Sequence, residues 1–227
     1  NNEGEGVTLY DSPNNNIISG NNITENEGHG IYLYHSSHNT ISRNNIERYR
    51  ETRSYCCVCI VDSSFNTVTG NKMEGNNGIW FSSSKHNCLN NTISGNNITC
   101  NYDGILITDS SNNTIFHNEF SGCGLLVYES YSNNVGDNIV NSKPLVYLED
   151  VSDYVVDQAG QVILVNSKNI RVEGLDLSNT TVGVQLWGTN NTQITKNNIT
   201  NNYWGIWLYY SSNNTLSLNN VTNNEWG

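Results

Sequence analysis

Basic residues, proline and long apolar runs are scarce in this sequence. The chain of 227 residues has 10 Lys and Arg against 21 Asp and Glu, so its formal net charge is -11. Nucleic acids are bound by clustered basic residues that displace counterions from the phosphates, and this charge therefore argues against a nucleic-acid partner. No apolar run reaches the roughly 18 residues of a spanning helix, so no membrane insertion is expected. With only 2 prolines, turns must depend on Asn, Gly and Ser.

The chain repeats a unit of roughly 20 to 27 residues. Each copy opens near a glycine and carries apolar residues at alternate positions between polar corners, a pattern that predicts short strands and excludes helices. One unit then makes one coil. The sequence predicts an all-β fold, a single-stranded right-handed parallel β-helix of about ten coils, with residues 1–227 as a single domain. Loop insertions are expected near residues 48–57 and 85–89, and an irregular stretch at residues 143–177.

Asparagine recurs at one position of the unit, two residues before the last apolar position. Equivalent residues of stacked coils lie about 4.8 Å apart, so this position becomes a column along the solenoid. An amide carries both a donor and an acceptor, and we expect stacked copies to bond to one another. The predicted asparagine ladder comprises Asn21, Asn44, Asn71, Asn96, Asn118, Asn138, Asn197 and Asn219.

Aromatic and apolar residues also occupy first-strand positions that alternate with the core positions. We expect these side chains to point outward, where large apolar patches usually mark binding surfaces. Lateral packing against another β-helix is the favoured interpretation, and stacking against sugar rings or cover by another segment are the alternatives. The predicted lateral-contact face comprises Tyr32, Tyr34, Trp80, Leu106, Leu126, Tyr128, Trp187, Trp207 and Tyr209.

Six cysteines in an acidic, Asn-rich chain suit an oxidising compartment better than the cytosol. The pairing stays open, although Cys100 and Cys123 occupy corners of successive coils and are a plausible pair. Cys59 is expected to point outward, where it could form a bond between molecules. The disulfide candidates are Cys56, Cys57, Cys59, Cys88, Cys100 and Cys123.

Metal and catalytic sites receive less support from the sequence. Cys56, Cys57 and Cys59 offer soft ligands, but the five histidines are scattered, and no metal or cofactor is expected. Asp109, Glu129 and Glu149 form a column of carboxylates that is a candidate calcium site. Since no Arg or Lys shares this column, the sequence predicts that the chain is not an enzyme, with a polysaccharide lyase or hydrolase as the alternative.

The two ends of the chain have the same pattern. Residues 2–6 match residues 26–30, and residues 223–227 occupy the equivalent corner. No distinctive cap is visible, so the last coil of one molecule could template the first coil of the next. Such a contact does not close, and it predicts a head-to-tail filament. The alternative is a fragment of a longer protein.

Residues 30–46 and 205–221 follow the pattern Gly-Ile-x-Leu-x-x-Ser-Ser-x-Asn-Thr-Ile-Ser-x-Asn-Asn-Ile, with Leu and Val replacing two Ile in the second copy. These units resemble the carbohydrate-binding-and-hydrolase type repeats of NosD-like proteins. Residues 143–149, 159–166 and 177–186 are similar to repeats of methanogen surface proteins, among which the cell sheath protein is the nearest likeness. The resemblance covers nearly the whole chain and implies a right-handed parallel β-helix at the cell surface. It does not imply one activity, since such repeats occur in enzymes, copper-assembly proteins and envelope proteins.

These features predict an extracellular structural protein of the cell surface or envelope. Its main partner is expected to be itself, through head-to-tail and lateral contacts that build a sheath, surface layer or filament, with glycans as a further candidate partner. The alternative function is that of a surface carbohydrate-binding or polysaccharide-cleaving β-helix protein.

Overall fold

The computed structural model describes residues 3–11, 14–48, 54–83 and 88–227. The insertions expected near residues 48–57 and 85–89 lie partly outside these described residues. The chain divides into two compact units, Asn1–Asn138 and Ile139–Gly227, which we call unit 1 and unit 2. No helix capable of crossing a membrane occurs among the described residues.

Unit 1 winds through three parallel sheets, and each sheet receives one strand from each successive coil. The first sheet contains β1 (Val7–Tyr10), β4 (Ile31–Tyr34), β7 (Val58–Val61), β10 (Ile79–Ser82), β13 (Ile105–Thr108) and β16 (Leu125–Tyr128). The second contains β2 (Ile17–Ser19), β5 (Thr40–Ser42), β8 (Thr67–Thr69), β11 (Thr92–Ser94), β14 (Thr114–Phe116) and β17 (Asn134–Gly136). The third contains β3 (Asn22–Ile23), β6 (Asn45–Arg48), β9 (Lys72–Gly75), β12 (Asn97–Cys100) and β15 (Glu119–Ser121).

Unit 2 repeats the arrangement with longer strands in its main sheet. That sheet contains β18 (Ile139–Val140), β19 (Lys143–Glu149), β21 (Gln161–Val165), β23 (Val182–Trp187) and β26 (Trp204–Tyr209). The other strands are β20 (Val155–Val156), β22 (Arg171–Glu173), β24 (Gln193–Thr195) and β27 (Thr215–Ser217), with β25 (Asn198–Thr200) beside β28 (Asn220–Thr222). Strands β18 and β19 pair antiparallel, whereas the other pairs of unit 2 are parallel. Residues 143–177, expected to be irregular, thus contain four strands.

Stacking of like residues builds the core in each unit. Ile31 of β4 pairs with Val58 of β7, and both side chains are fully buried because the alternating pattern turns them inward. In unit 2 the buried cluster includes Val162, Leu164 and Val184. The prediction of an all-β parallel β-helix is confirmed. Within the described residues, six first-sheet strands in unit 1 and the four strands β19, β21, β23 and β26 in unit 2 agree with about ten coils.

The asparagines of the predicted ladder lie over one another inside each unit. In unit 1 the amide nitrogen of each Asn donates to the amide oxygen of the next, at 2.9–3.0 Å, from Asn21 through Asn138. In unit 2, Asn197 donates to Asn219 at 3.0 Å. The backbone N–H of the same residue donates to the same oxygen, as Asn71 does to Asn96 at 3.0 Å. Each side chain therefore satisfies buried groups of two neighbouring coils.

Cys100 and Cys123 form a disulfide in unit 1, with a Cα–Cα distance of 5.6 Å, so this expected pair is confirmed. Among the described residues Cys56, Cys57, Cys59 and Cys88 are free and buried. The expectation that Cys59 is available for a bond between molecules is wrong. Its side chain lies on the outer side of β7, but only 5% of the residue is exposed.

The disulfide should contribute measurably to the stability of unit 1. The two cysteines are 23 residues apart, and closing such a loop in the unfolded chain stabilises the folded state by about 3 kcal/mol. We expect the double variant Cys100→Ser/Cys123→Ser to lose about this much free energy of unfolding in urea. Reductant should destabilise the native protein and leave the double variant unchanged. Equal stability of the two proteins would contradict a structural role for the disulfide.

Candidate functional site

The outer face of the first sheet in unit 1 carries two columns of side chains. Tyr32, Cys59 and Trp80 are neighbours in one column. Tyr10 and Tyr34 are neighbours in the other, two positions further along the strands. The pairing register fixes these neighbours, because each strand places alternate residues on the same face.

The predicted lateral-contact face is less accessible than the sequence implied. In unit 1, Tyr32, Tyr34, Trp80, Leu106 and Tyr128 are half-buried, and Leu126 is buried. In unit 2, Trp207 and Tyr209 are half-buried and Trp187 is buried. Leu126 and Trp187 therefore do not offer surface for a partner, while the aromatic rings of the other positions remain partly accessible.

Aromatic rings form a continuous strip along this face of unit 1. Tyr10 stacks on Tyr34 with ring centroids 4.9 Å apart, and Tyr34 stacks on His35 at 4.0 Å. Tyr32 lies between Tyr34, at 6.3 Å, and His29, at 5.3 Å. Tyr10 is 61% exposed, so the strip reaches the solvent at that end. Flat aromatic rings with a polar edge are well suited to contact ligands that combine apolar faces with hydroxyl groups.

An imidazole lies between two carboxylates at the corner that follows these strands. His35 Nδ1 is 3.1 Å from Asp11 Oδ1, and His35 Nε2 is 3.7 Å from Asp62 Oδ2. The hydroxyl of Ser83 donates to Asp62 at 2.9 Å. We call Asp11, His35 and Asp62 the corner triad. A histidine held by two carboxylates can accept or release a proton while its orientation is maintained.

The backbone of the corner triad is in the left-handed region. The φ angles are 44° at Asp11, 46° at His35 and 45° at Asp62. Asp and His tolerate this conformation better than most residues, and it ends the strand sharply. Successive coils therefore present a polar side chain at the same place beside the aromatic strip.

The candidate calcium site is not assembled as expected. Asp109 and Glu129 do occupy neighbouring corners in unit 1, where the N–H of Asp109 donates to the carbonyl of Tyr128. Glu149 instead ends strand β19 in unit 2 and accepts a hydrogen bond from the hydroxyl of Tyr147 at 2.7 Å. The left-handed corner of that coil is Asp150, with φ 57°. Glu149 thus ends its strand one residue before the left-handed corner, whereas Asp109 and Glu129 are themselves left-handed corner residues.

Among the described residues, one group of three potential metal ligands has its ligand atoms within 4.8 Å of one another: His29, Cys56 and Cys59. We call it the thiol–imidazole cluster. The sulfur of Cys56 is 3.3 Å from Nδ1 of His29. His29 precedes β4, and the two cysteines flank the start of β7 on the adjacent coil. The N–H of Gly30 bonds to the carbonyl of Cys56, and this pairing holds the two segments in register.

Aromatic side chains fix the position of His29. Its ring stacks on Tyr32 and meets the edge of Tyr55, with centroids 5.1 Å apart. Arg48, which is buried, lies over the ring of Tyr55 at 5.0 Å and donates to the carbonyls of Glu27 and Gly28. Tyr55 thus packs against His29, and Arg48 in turn packs on Tyr55; these two residues lie near the two ends of the 48–57 insertion.

The two thiols of the cluster differ in acidity. A hydrogen bond from Cys56 lowers the pKa of Cys59, and His29 acts in the same direction, although burial opposes the shift. Burial raises the pKa of Cys56. Burial also raises the pKa of Cys57, to about 12, and that of Cys88, to about 11. The cluster therefore favours one thiolate, Cys59, whereas the other buried thiols stay protonated.

Unit 2 has an aromatic surface of its own. Trp204 stacks between Trp207 and Trp226, with centroid distances of 5.4 Å and 5.8 Å. Tyr209 stacks on Trp187 at 4.5 Å. Trp204 and Trp207 lie on one strand, β26, whereas the Trp204–Trp226 and Trp187–Tyr209 pairs join neighbouring coils and so form short aromatic ladders.

Neither His35 of the corner triad nor His29 of the thiol–imidazole cluster was predicted from the sequence. Cys56 and Cys59 have the Cys-x-x-Cys spacing that often marks a metal or redox site, and this signal was available. His29 is 27 residues from Cys56, so only an alignment that allows for the 48–57 insertion brings the two together. The same alignment places His35 beside Asp62.

Several solved structures align with this chain over most of its length. The chain aligns over 95% of its length with the periplasmic alginate epimerase AlgG at 16% identity and a TM-score of 0.44, covering 47% of that chain. A C387A mutant of DFA-IIIase from Arthrobacter chlorophenolicus A6, in complex with DFA-III, matches at 12% identity and a TM-score of 0.43, with 95% and 45% coverage. The Azotobacter vinelandii mannuronan C-5 epimerase AlgE6 A-module matches at 19% identity and a TM-score of 0.24, with 95% and 58% coverage. The chain spans about half the length of the first of these.

The expectation that the chain is not an enzyme is corrected by these matches, which include two epimerases and a DFA-IIIase. At 12–19% identity and TM-scores below 0.5 they are likenesses only. No curated protein matches the sequence.

Two family models match the sequence directly. The model described as right handed beta helix region matches residues 1–89. The model described as periplasmic copper-binding protein (NosD) matches residues 48–147 and 145–227, which is more than half of the chain. The right-handed winding predicted from the repeats is thereby confirmed. The chain belongs to the NosD family of right-handed parallel β-helix proteins.

Proposed function

We propose that this chain is an extracytoplasmic β-helix protein that binds a neutral polysaccharide along the outer face of unit 1 and hydrolyses it at the corner triad. The observation that carries the proposal is the position of His35, between Asp11 and Asp62 and in stacking contact with Tyr34. Sugar-binding aromatics and groups able to transfer protons are thus adjacent on one surface. An extracytoplasmic location agrees with the Cys100–Cys123 disulfide and with the periplasmic family description.

Charge favours a neutral ligand. The chain has a net charge of -11, and Asp109 and Glu129 add carboxylates at the corners that follow the triad. The carboxylates at these corners would repel an anionic polymer, whereas they would not repel a neutral chain of sugar rings. Tyr10 and Tyr34 offer the stacked ring pair against which a pyranose face can pack.

The corner triad has the groups that glycoside hydrolysis needs. In that reaction an acid gives a proton to the departing glycosidic oxygen, and a base takes a proton from the water that attacks the anomeric carbon. The C–O bond breaks as the new C–O bond forms, and proton exchange with solvent restores the starting state. Asp11 and Asp62 supply the two carboxyl groups, and His35 between them can carry the proton and hold both in place.

A panel of neutral and anionic oligosaccharides tests this proposal through binding and product formation. We expect a neutral oligosaccharide to bind and to be cleaved. His35→Gln and Asp62→Asn should each lower the cleavage rate by about 100-fold or more, because each removes a proton-transfer group. Tyr10→Ala should weaken binding by roughly 10-fold, the effect of about one lost stacking contact.

The matched control is Tyr154→Ala in unit 2. Tyr154 is 47% exposed, against 61% for Tyr10, but lies away from the triad in sequence and in sheet. The control should bind and cleave as the native protein does. The proposal fails if the native protein binds none of the neutral sugars, or if both tyrosine variants lose the same affinity.

Self-assembly into a sheath, surface layer or filament stays a prediction of the sequence. The copper in the family description is a further candidate ligand, because the thiol–imidazole cluster offers the thiolate and imidazole groups that copper and zinc prefer.

A further inference from the structure

We propose that His29, Cys56 and Cys59 form a three-coordinate binding site for a soft metal cation, with monovalent copper as the cation that fits best. This site is independent of the carbohydrate-binding surface proposed above. The rigidity of the three ligands, the distances between them and their shielding from water all suit such a cation.

Regular strands hold the ligands in place. Cys59 lies within β7, where it pairs with Tyr32 of β4 on one side and Trp80 of β10 on the other. Cys56 is tied to the neighbouring coil through the bond from Gly30, and its own N–H donates to Nδ1 of His29 at 3.2 Å. One ligand thus lies within a paired strand and the other two lie just before paired strands, so the ligands are positioned before a metal arrives and little ordering entropy is lost on binding.

The distances suit a metal centre. In a trigonal site, metal–sulfur and metal–nitrogen bonds of about 2.3 Å and 2.0 Å place sulfur and nitrogen roughly 3.7 Å apart and the two sulfurs roughly 4.0 Å apart. Cys56 Sγ and His29 Nδ1 are 3.3 Å apart, and all three ligand atoms lie within 4.8 Å. A small movement of the rings and thiols would therefore place each atom at bonding distance. Rotation of His29 is limited by its contacts with Tyr32 and Tyr55.

Shielding favours copper over zinc. Zinc bound by three protein ligands normally completes a tetrahedron with water. Cys56 is fully buried and Cys59 is 5% exposed, so a fourth ligand from solvent would have little access. Monovalent copper is stable with three ligands and prefers thiolate sulfur. Cys56 and Cys59 supply two such sulfur ligands.

Anaerobic titration of the reduced full chain with Cu(I), in competition with a chromophoric Cu(I) chelator, tests the site. We expect one copper per chain, and X-ray absorption should show two sulfur neighbours and one nitrogen neighbour. Cys59→Ser should weaken Cu(I) binding by at least about 100-fold, and His29→Gln by about 10-fold or more, because each removes a direct ligand.

Cys88→Ser is the matched control, since Cys88 is also a buried free thiol of unit 1 but lies outside the cluster. It should bind copper as the native protein does. If circular dichroism shows that Cys59→Ser does not fold, His29→Gln is the variant to measure. His29 is only half-buried, so its replacement should disturb folding less. The proposal is overturned if Cys88→Ser and His29→Gln lose copper equally, or if Zn(II) binds more tightly with an oxygen neighbour. A Cys56–Cys59 disulfide in the native protein would also overturn it.

Discussion

Replacing Asn96 by Ala should lower the free energy of unfolding of unit 1 by about 4 kcal/mol, because several buried polar groups lose a partner at once. The oxygen of Asn96 accepts both the backbone N–H and the amide of Asn71, each at 3.0 Å. Its amide donates to the carbonyl of Val68 and to Asn118, each at 2.9 Å. Alanine can replace none of these bonds, and the buried site admits little water. Urea denaturation monitored by circular dichroism measures the loss.

The neighbouring Asn97 provides the matched control for this prediction. Asn97 lies on β12, one residue further, and its side chain is exposed. Asn97→Ala should change the free energy of unfolding by less than about 0.5 kcal/mol, the usual range for exposed positions. If both variants were equally stable, the ladder would not hold the coils together.

Gly104→Ala should destabilise unit 1 by about 4 kcal/mol or prevent folding, because the added methyl group meets fixed backbone. A Cβ at Gly104 would lie 2.5 Å from the carbonyl oxygen of Gly124 and 2.6 Å from Cδ1 of Phe120. Phe120 is fully buried, so its ring cannot move aside without disturbing the core. The close approach of the next coil therefore requires glycine at position 104. Thermal and urea unfolding measure the effect.

Gly95 is a glycine whose replacement should cost far less. It has φ 62°, and a Cβ there would meet nothing within 4 Å. Arg43 and His117 occupy the corresponding corner of other coils with φ 55°, which shows that side chains are tolerated there. Gly95→Ala should lose about 1 kcal/mol, the strain of a left-handed residue. A larger loss at Gly95 than at Gly104 would refute the steric explanation.

Periodic features of the fold could be predicted from the sequence, because in a solenoid a column of like residues becomes a ladder. The alternation of apolar residues in each repeat predicted stacked coils with like residues over like residues, and Ile31 and Val58 are register partners of this kind. The asparagine column was found in the same way. Both features depend on the regular repeats and not on the repeats whose length changes.

The candidate sites lie where the repeat changes length, and the sequence pattern did not align the repeats across those changes. His29 aligns with Cys56 only when the 48–57 insertion is allowed for, and Glu149 ends the seven-residue strand β19 instead of occupying the corner that follows it. The burial of Cys59 was also unexpected, because an outward position in the pattern does not reveal that neighbouring side chains cover it.

Strand β4 connects the two proposed sites. His29 precedes this strand and belongs to the thiol–imidazole cluster, whereas His35 follows it and belongs to the corner triad. Tyr32 and Tyr34 form the surface between them, with ring centroids 6.3 Å apart. One coil thus presents a proposed metal site and a proposed catalytic site on the same face, separated by aromatic rings.

A crystal structure of the full chain with the neutral oligosaccharide that binds it most tightly is the most direct test of the proposed function. The account predicts a sugar ring packed against Tyr10 and a glycosidic oxygen within hydrogen-bonding distance of the triad formed by Asp11, His35 and Asp62. A sugar bound only at the tryptophan surface of unit 2, or none bound at all, would contradict it.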